Sequence, residues 1–385
     1  MSDVQLLFLV LALLYGWECA CWLRHGSVAF TTWFGRRWCV QHPGTVVGND
    51  KGGFVVSMPL PPLGTLLTAN QLPFSCSPEA LLACVSTNVN PGPRATQGSR
   101  LMRFDELREI RAVGKRVLLN NELFLKVGSN TLATSIARRI EHLRKLPSRQ
   151  RDAAIGTMCR ETLDSEAIER RWAEFRANAG SLRLLGNILV VFVFVFAPVV
   201  IWNLGFKLTW LGLLIGLLCL TTTTAFLFRR AHGRLFAKAE DERFTHTLTI
   251  LLSPATAMRA HDVLSRPLLE TFHPLAVAQV FLRKERFRPF ARRLLLDIRH
   301  PAPPVFPTND PVACSADRSW RAAMQAAMED SLKRHGCNPE ELCRPPLPLD
   351  QSCCAFCPRC EAQFTTSSAR CADCGGLPVV AFSAP

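Results

Sequence analysis

Residues 184–206 read LLGNILVVFVFVFAPVVIWNLGF and residues 208–228 read LTWLGLLIGLLCLTTTTAFLF, with Lys207 alone between them. Neither run holds a charged residue. Each is longer than the ~18 apolar residues that mark a transmembrane helix, which needs about 20 to cross ~30 Å of hydrocarbon. A fully buried helix of that length is rare in a soluble protein. Asn203, Gly205 and Lys207 supply a turn, so the pair predicts a tight helical hairpin through a membrane. Pro198 lacks a backbone N–H and is expected to bend the first helix.

A third run, residues 4–23, is apolar except for Glu18. A cleaved signal peptide needs a basic start and a small-residue cleavage site. The only charge before this run is Asp3 and no A-x-A site follows, so it reads as a retained anchor and makes three spans. Basic residues flanking spans mark the cytoplasmic side. Arg24, Arg36 and Arg37 follow the first run. Arg170, Arg171, Arg176 and Arg183 precede the hairpin, and Arg229, Arg230, Arg234 and Lys238 follow it. All fall on one side if the N-terminus is outside, which places residues 24–183 and 229–385 in the cytoplasm of a multi-pass inner-membrane protein.

The 385-residue chain is 48% apolar and 20% charged, which excludes a disordered polymer. Its 26 Pro and 22 Gly follow no G-X-Y period, which excludes collagen, and no repeat of solenoid length is present. Of the 45 basic residues, 37 are Arg, and there is a single Tyr, a bias that leans towards a bacterial, GC-rich source. Of the net charge of +14, residues 24–183 carry +10 and residues 229–385 carry +5, with Asp3, Glu18 and Lys207 contributing −1. A basic face beside anionic lipid explains this, at ~1 kcal/mol per close Lys or Arg. Nucleic-acid binding is not required.

Between the first run and the hairpin, SVAFTTWF, RRWCVQ, GGFVVSM, TLLTA and LPFSC read as short strands. The breaks fall at His42-Pro43-Gly44, Asn49-Asp50 and residues 59–64, and residues 88–99 form a polar loop. Gly114-Lys115 and Asn120-Asn121 are hairpin turns by composition. Ser129 or Asn130 then caps a helix to about Leu146, with Leu132, Ile136, Ile140 and Leu143 on one face. Antiparallel strands closed by one helix over about residues 27–146 resemble a pleckstrin-homology-like domain in architecture, without a diagnostic motif. That resemblance implies a membrane-proximal module, some relatives of which bind lipid headgroups. A charged helix capped by Asp164 is expected to run straight into the hairpin.

Residues 229–345 read as helical. Ser253-Pro254 restarts a helix, Asn338 opens a short one, and the Pro-rich residues 300–311 are a linker. His246, His261 beside Asp262, and His273 lie in this block. Catalysis or metal binding would need them to converge. No HExxH, GxSxG, P-loop or GxGxxG pattern accompanies them, so no catalytic residue is assigned and no small-molecule substrate is identified.

Most of the 16 cysteines fall in the segments placed in the cytosol, where thiols stay reduced. Cys357, Cys360, Cys371 and Cys374 stand apart as C-x2-C-x10-C-x2-C. Two such knuckles offer four thiolates to one tetrahedral metal ion. The tail resembles a zinc ribbon, which implies structural zinc, with Phe364 and the strand from Leu377 packed around it and Cys353 and Cys354 as spare thiols.

The expected fold class is an α+β membrane protein. Its parts are an anchor over 1–23, a β-rich domain over 24–146 and a helical connector over 147–183. The hairpin over 184–228, a helical domain over 229–345 and the ribbon tail over 346–385 follow. The expected function is that of a membrane-anchored adaptor or assembly factor for a cytosolic or membrane protein partner, in contact with membrane lipid. Its rivals are a membrane-associated enzyme using the helical block around His261 and Asp262, and a membrane-tethered nucleic-acid binder.

Overall fold

The structure, a computed structural model, describes residues 3–23, 27–33, 37–41, 53–56, 63–85, 98–205, 209–237, 239–301 and 310–382. The turns expected at 42–44 and 49–50, most of the stretches 59–64, 88–99 and 300–311, and Lys207 of the hairpin turn lie outside the described residues.

The first apolar run is not one long helix. α1 (Asp3–Glu18) has 16 residues, or about 24 Å at 1.5 Å per residue. The chain then turns into strand β1 (Ala20–Leu23), which pairs antiparallel with β4 (Gly53–Val56). A strand reading ACWL and the end of a membrane span look alike in sequence. Two helices among the described residues are long and apolar enough to cross a membrane, and α1 is not one of them.

The five expected strands are present. β2 (Ser27–Trp33) lies between β3 (Arg37–Gln41) and β5 (Gly64–Asn70), antiparallel to both. A second sheet holds β6 (Phe74–Cys76), β7 (Ala80–Val85) and β8 (Gly98–Arg103). A third holds β9 (Ile110–Val113), β10 (Arg116–Leu119) and β11 (Glu122–Lys126). Its turns fall where composition placed them. Gly114 has φ +57°, and Asn120 and Asn121 have φ +51° and +65°, the left-handed pair that a two-residue hairpin needs. α2 (Asn130–Lys145) follows, capped by the Ser129 hydroxyl on Leu132 N–H, with Leu132, Ile136, Ile140 and Leu143 buried. The order of strands then helix is as expected. The strands are divided among separate sheets, however, and no closed barrel forms among the described residues.

After α3 (Ser148–Thr162), Asp164 caps α4 (Ser165–Val191) by accepting from Ala167 N–H. α4 runs without interruption through a wide π turn at Phe192–Phe196 into α5 (Ala197–Leu204). The whole helix has 40 residues and is about 60 Å long. The π turn ends two residues before Pro198. The Pro ring would clash with the carbonyl four residues back, and a widened turn moves that carbonyl aside. After Gly205, α6 (Thr209–Leu235) runs back. Only 17% of the apolar window of the first long helix and 22% of that of the second are buried. Trp202 is 88% exposed and Phe226 65%.

α7 (Glu240–Leu252), α8 (Pro254–Met258) and α9 (Ala260–Ser265) follow, with Ser253 capping α8 as expected. The helical block ends with α10 (Pro274–Phe281), α11 (Lys284–Arg299), α12 (Pro311–Arg334) and α13 (Pro339–Leu342). One apolar core runs from Tyr15 through the sheets to Leu342. Trp38 of β3 lies 4.6 Å from Phe281 of α10 and 5.7 Å from Trp172 of α4, centroid to centroid. Phe74 of β6 stacks on Trp320 of α12.

β5 is an edge strand, and exposed edges invite pairing with other chains. Here the segment 265–272 covers it. Ser265 donates to the Leu66 carbonyl at 2.8 Å, Thr68 donates to the Arg266 carbonyl at 2.8 Å, and Asn70 N–H donates to the Phe272 carbonyl at 3.2 Å.

Candidate metal centre

The four cysteines singled out in the tail come together. The Sγ atoms of Cys357, Cys360, Cys371 and Cys374 all lie within 4.8 Å of one another, and Cys360 and Cys371 are 3.5 Å apart. A tetrahedron with metal–sulfur bonds of about 2.3 Å has edges of ~3.8 Å, so the cluster has the size and the donor set to hold one metal ion. Cys357, Cys371 and Cys374 are buried and Cys360 is exposed.

Short backbone turns set this arrangement. In the first knuckle, Glu361 N–H donates to the Cys357 carbonyl at 2.9 Å and Cys357 N–H to the Ala362 carbonyl at 2.8 Å. Glu361 carries the turn at φ +64°, a conformation that costs a non-glycine residue about 1 kcal/mol. In the second knuckle the same work falls to Gly375 and Gly376, at φ +71° and +83°, where glycine meets no Cβ penalty. β12 (Ala355–Phe356) lies between β13 (Gln363–Phe364) and β16 (Val380–Ala381). β14 (Arg370–Cys371) pairs with β15 (Leu377–Pro378). Phe364 and Leu377 pack on the cysteines. Cys354 is used by its backbone, which pairs with Phe364 and Phe382. Neither it nor Cys353 joins the sulfur cluster.

The tail is docked on the helical block. Arg292 of α11 donates from Nε to Glu361 at 2.9 Å, and from its other nitrogens to the carbonyls of Leu342 at 2.8 Å and Arg344 at 2.6 Å. Arg359 donates to Asp297 at 2.8 Å. Thus the strained Glu361 is held by a guanidinium from another element. Sequence spacing carried no sign of this contact, because 69 residues separate the partners.

The histidines of the helical block have different partners. His261 is buried edge-on against Phe175, with centroids 5.1 Å apart. His273 accepts from Leu275 N–H through Nδ1 at 3.2 Å and so caps α10. His246 packs near Phe228, at 6.1 Å. Asp262 sits between Arg259, with which it pairs closely, and Arg266 at 3.1 Å. Burial pushes the Asp262 carboxyl up, but the two guanidiniums outweigh it and hold its pKa below the ordinary value.

A second buried carboxylate was not singled out from sequence. Glu270 accepts from the hydroxyls of Ser129 at 2.5 Å and Thr68 at 3.3 Å, and burial raises its pKa. Glu242 of α7 accepts from Asn130 N–H at 2.8 Å. Two carboxylates from the helical block therefore face the N-terminus of α2, where unpaired N–H groups and the helix dipole favour negative charge.

Burial lowers the pKa of both His261 and His273 from 6.5 to about 4. For His261, the charge of Arg183 adds to this and Asp262 opposes it. Each folded imidazole refuses a proton that the unfolded chain takes near its ordinary value. This stabilisation is fully present above pH 6.5 and is lost as pH falls towards about 4. The raised Glu270 works in the opposite sense, so a variant is needed to isolate the histidines. Apparent Tm is expected to fall across that window, and less steeply in His273→Asn, which keeps a capping acceptor without titrating there. Thermal scans across that pH window check this, and equal slopes in the two proteins would refute it.

Compared with known families, with characterised proteins and with solved structures, this chain matches none of them.

Proposed function

We propose that the pair formed by α4–α5 and α6 anchors this protein in a membrane. The body would then lie on the cytoplasmic side, acting as an adaptor or assembly factor for a protein partner. The observation that carries the anchor is the low burial of the two apolar helices, 17% and 22% of their windows. The core helix of a soluble protein hides such a surface. Here most of it stays exposed, and only residues such as Leu189, Val193, Ala225 and Phe228 join the core of the body. With α1 too short for a third span, α1 lies along the membrane face with Leu6, Leu9, Leu13 and Trp17 exposed.

Zinc is the ion that best suits the tail, because four thiolates in a tetrahedron match its preference, with iron the competitor for the same donors. A closed four-thiolate site contributes folding energy and leaves no open position for substrate. The adaptor reading rests on the tail's placement. Its two ion pairs to α11 fix its orientation. Beside it, Leu347 and Leu349 are 86% and 83% exposed on a Pro-rich strap that Gln363 holds through both Leu349 N–H and the Leu347 carbonyl. Apolar side chains held out on a short braced segment suit protein contact.

The test is affinity purification from native membranes in mild detergent, comparing the wild type with Cys357→Ser/Cys360→Ser. A stoichiometric partner present with the wild type and lost with the variant is expected. No partner in either sample overturns the adaptor reading and moves the search to activity in the helical block.

A further inference from the structure

Where α6 leaves its apolar run, its last turns and the first turn of α7 enclose an open cleft of about 450 Å³ lined by Phe226, Arg229, Arg230, Gly233 and Arg243. We infer that this cleft binds the phosphate of an anionic phospholipid headgroup. The inference rests on the membrane anchor proposed above.

Three guanidiniums line one small space. Arg229 and Arg230 are exposed and belong to no ion pair among the described residues. Arg243 reaches across from α7, supported by Glu240 at 2.9 Å. It lies against α6 at Gly233, where a Cβ would stand 3.0 Å from its Nη1. A larger residue at 233 would push the guanidinium away, so glycine keeps the third wall of the cleft in place. The acids nearby offset only part of the charge. Glu240 pairs with Arg243, Glu242 is turned to the α2 N-terminus, and Asp241 forms no ion pair with the two exposed arginines among the described residues. Arg presents a planar fork of donors that suits phosphate oxygens.

Two features favour a lipid over a free phosphate. Arg229 directly follows Phe228, the last residue of the apolar run, so in a spanning α6 the cleft lies at the depth of the lipid phosphates. Phe226, 65% exposed, forms its apolar end. On α7, Phe244, Leu248, Leu251 and Leu252 are exposed at spacings of three and four residues, giving one apolar stripe along the helix packed on α6. A headgroup in the cleft would have acyl chains beside apolar side chains.

The experiment uses the full chain in nanodiscs containing phosphatidylcholine and phosphatidylglycerol, with retained lipid counted by native mass spectrometry. Phosphatidylglycerol is expected to be enriched over its share of the bilayer. Arg229→Gln/Arg230→Gln is expected to lower that enrichment roughly tenfold or more, the loss set by two arginines beside anionic headgroups. Gly233→Leu, which changes no charge, should lower it as well. Arg234→Gln removes a charge outside the cleft, at a residue bonded to Asn178, and should leave it unchanged. Equal enrichment in the wild type and the double variant overturns the site, and so does a loss in Arg234→Gln as large as in the double variant. Inorganic phosphate that displaces phosphatidylglycerol assigns the cleft to a free anion and overturns the lipid. Alkaline carbonate extraction of native membranes separates the two readings. Retention without enrichment defeats the headgroup site alone, and release of the protein defeats the anchor and the site together.

Discussion

In the Cys357→Ser/Cys360→Ser variant, bound metal is expected to fall from one ion per chain to a trace, with the tail unfolding around it. The size of the effect follows from how little else holds the tail. Its strands are two residues long, and its apolar cluster consists of three cysteines with Phe364 and Leu377 beside them. So small a module cannot offset the entropy of ordering its chain by burial alone. Structural zinc contributes about 10–16 kcal/mol to comparable modules, and that energy is their folding energy. The loss should stay local. The tail meets the body through Arg292–Glu361 and Arg359–Asp297, while the main core runs from Tyr15 to Leu342 without it. Elemental analysis should therefore show the metal lost, and limited proteolysis should cut beyond about residue 345 while the body keeps its apparent Tm. Full metal content in the variant would move the ligands to other thiols and end the assignment. A tail that stays protease-resistant without metal would show that docking on α11 is sufficient to fold it.

What sequence revealed and what it hid divides by distance along the chain. The turns at Gly114 and Asn120-Asn121, the caps at Ser129, Asp164, Ser253 and Asn338, and the cysteine spacing are local signals, and each has a counterpart in the structure. Each depends on a few adjacent residues whose chemistry allows one backbone geometry. β1 and β7 were missed for a different reason. ACWL and ALLACV are continuous apolar runs without the alternation that marks a strand, and in β7 Ala80, Leu81, Leu82 and Ala83 are buried on both faces. The same ambiguity extended the first apolar run four residues past the turn that ends α1. Contacts between distant segments left no trace in the sequence at all. Glu270 meets Ser129 across 141 residues and Thr68 across 202, and nothing beside Glu270 marks it as buried. Arg292 and Glu361 are a similar case. In the tail the ligands were legible, and the docking that orients them was not.

Asp262→Ala is expected to destabilise the body by about 3–5 kcal/mol, the cost of leaving buried charge without its partner. Asp262 is 1% exposed and Arg259 3%. The carboxylate takes both Arg259 and Arg266, and Glu18 at the end of α1 stands 3.8 Å from Arg259. The cluster thus ties α1 to α9 and the following turn around a buried Asp262–Arg259 pair, with Glu18 and Arg266 partly exposed at its rim. Removing the carboxylate leaves two guanidiniums facing each other across the space it filled, with only the partly exposed Glu18, 3.8 Å from Arg259, left to offset them. Apparent Tm in detergent should fall by roughly 5 °C. The pairing itself, rather than the volume lost, is isolated by a cycle with Arg259→Met. Burying an ion pair costs both charges their hydration, so the double variant Asp262→Ala/Arg259→Met should recover much of the loss. The same cycle bears on catalysis. A carboxylate that oriented His261 for chemistry would lose activity in Asp262→Asn at unchanged Tm, whereas a structural one loses stability first. A change in Tm of less than about 1 kcal/mol equivalent in Asp262→Ala would place water at the cluster and remove it from the forces that hold α1 against the body.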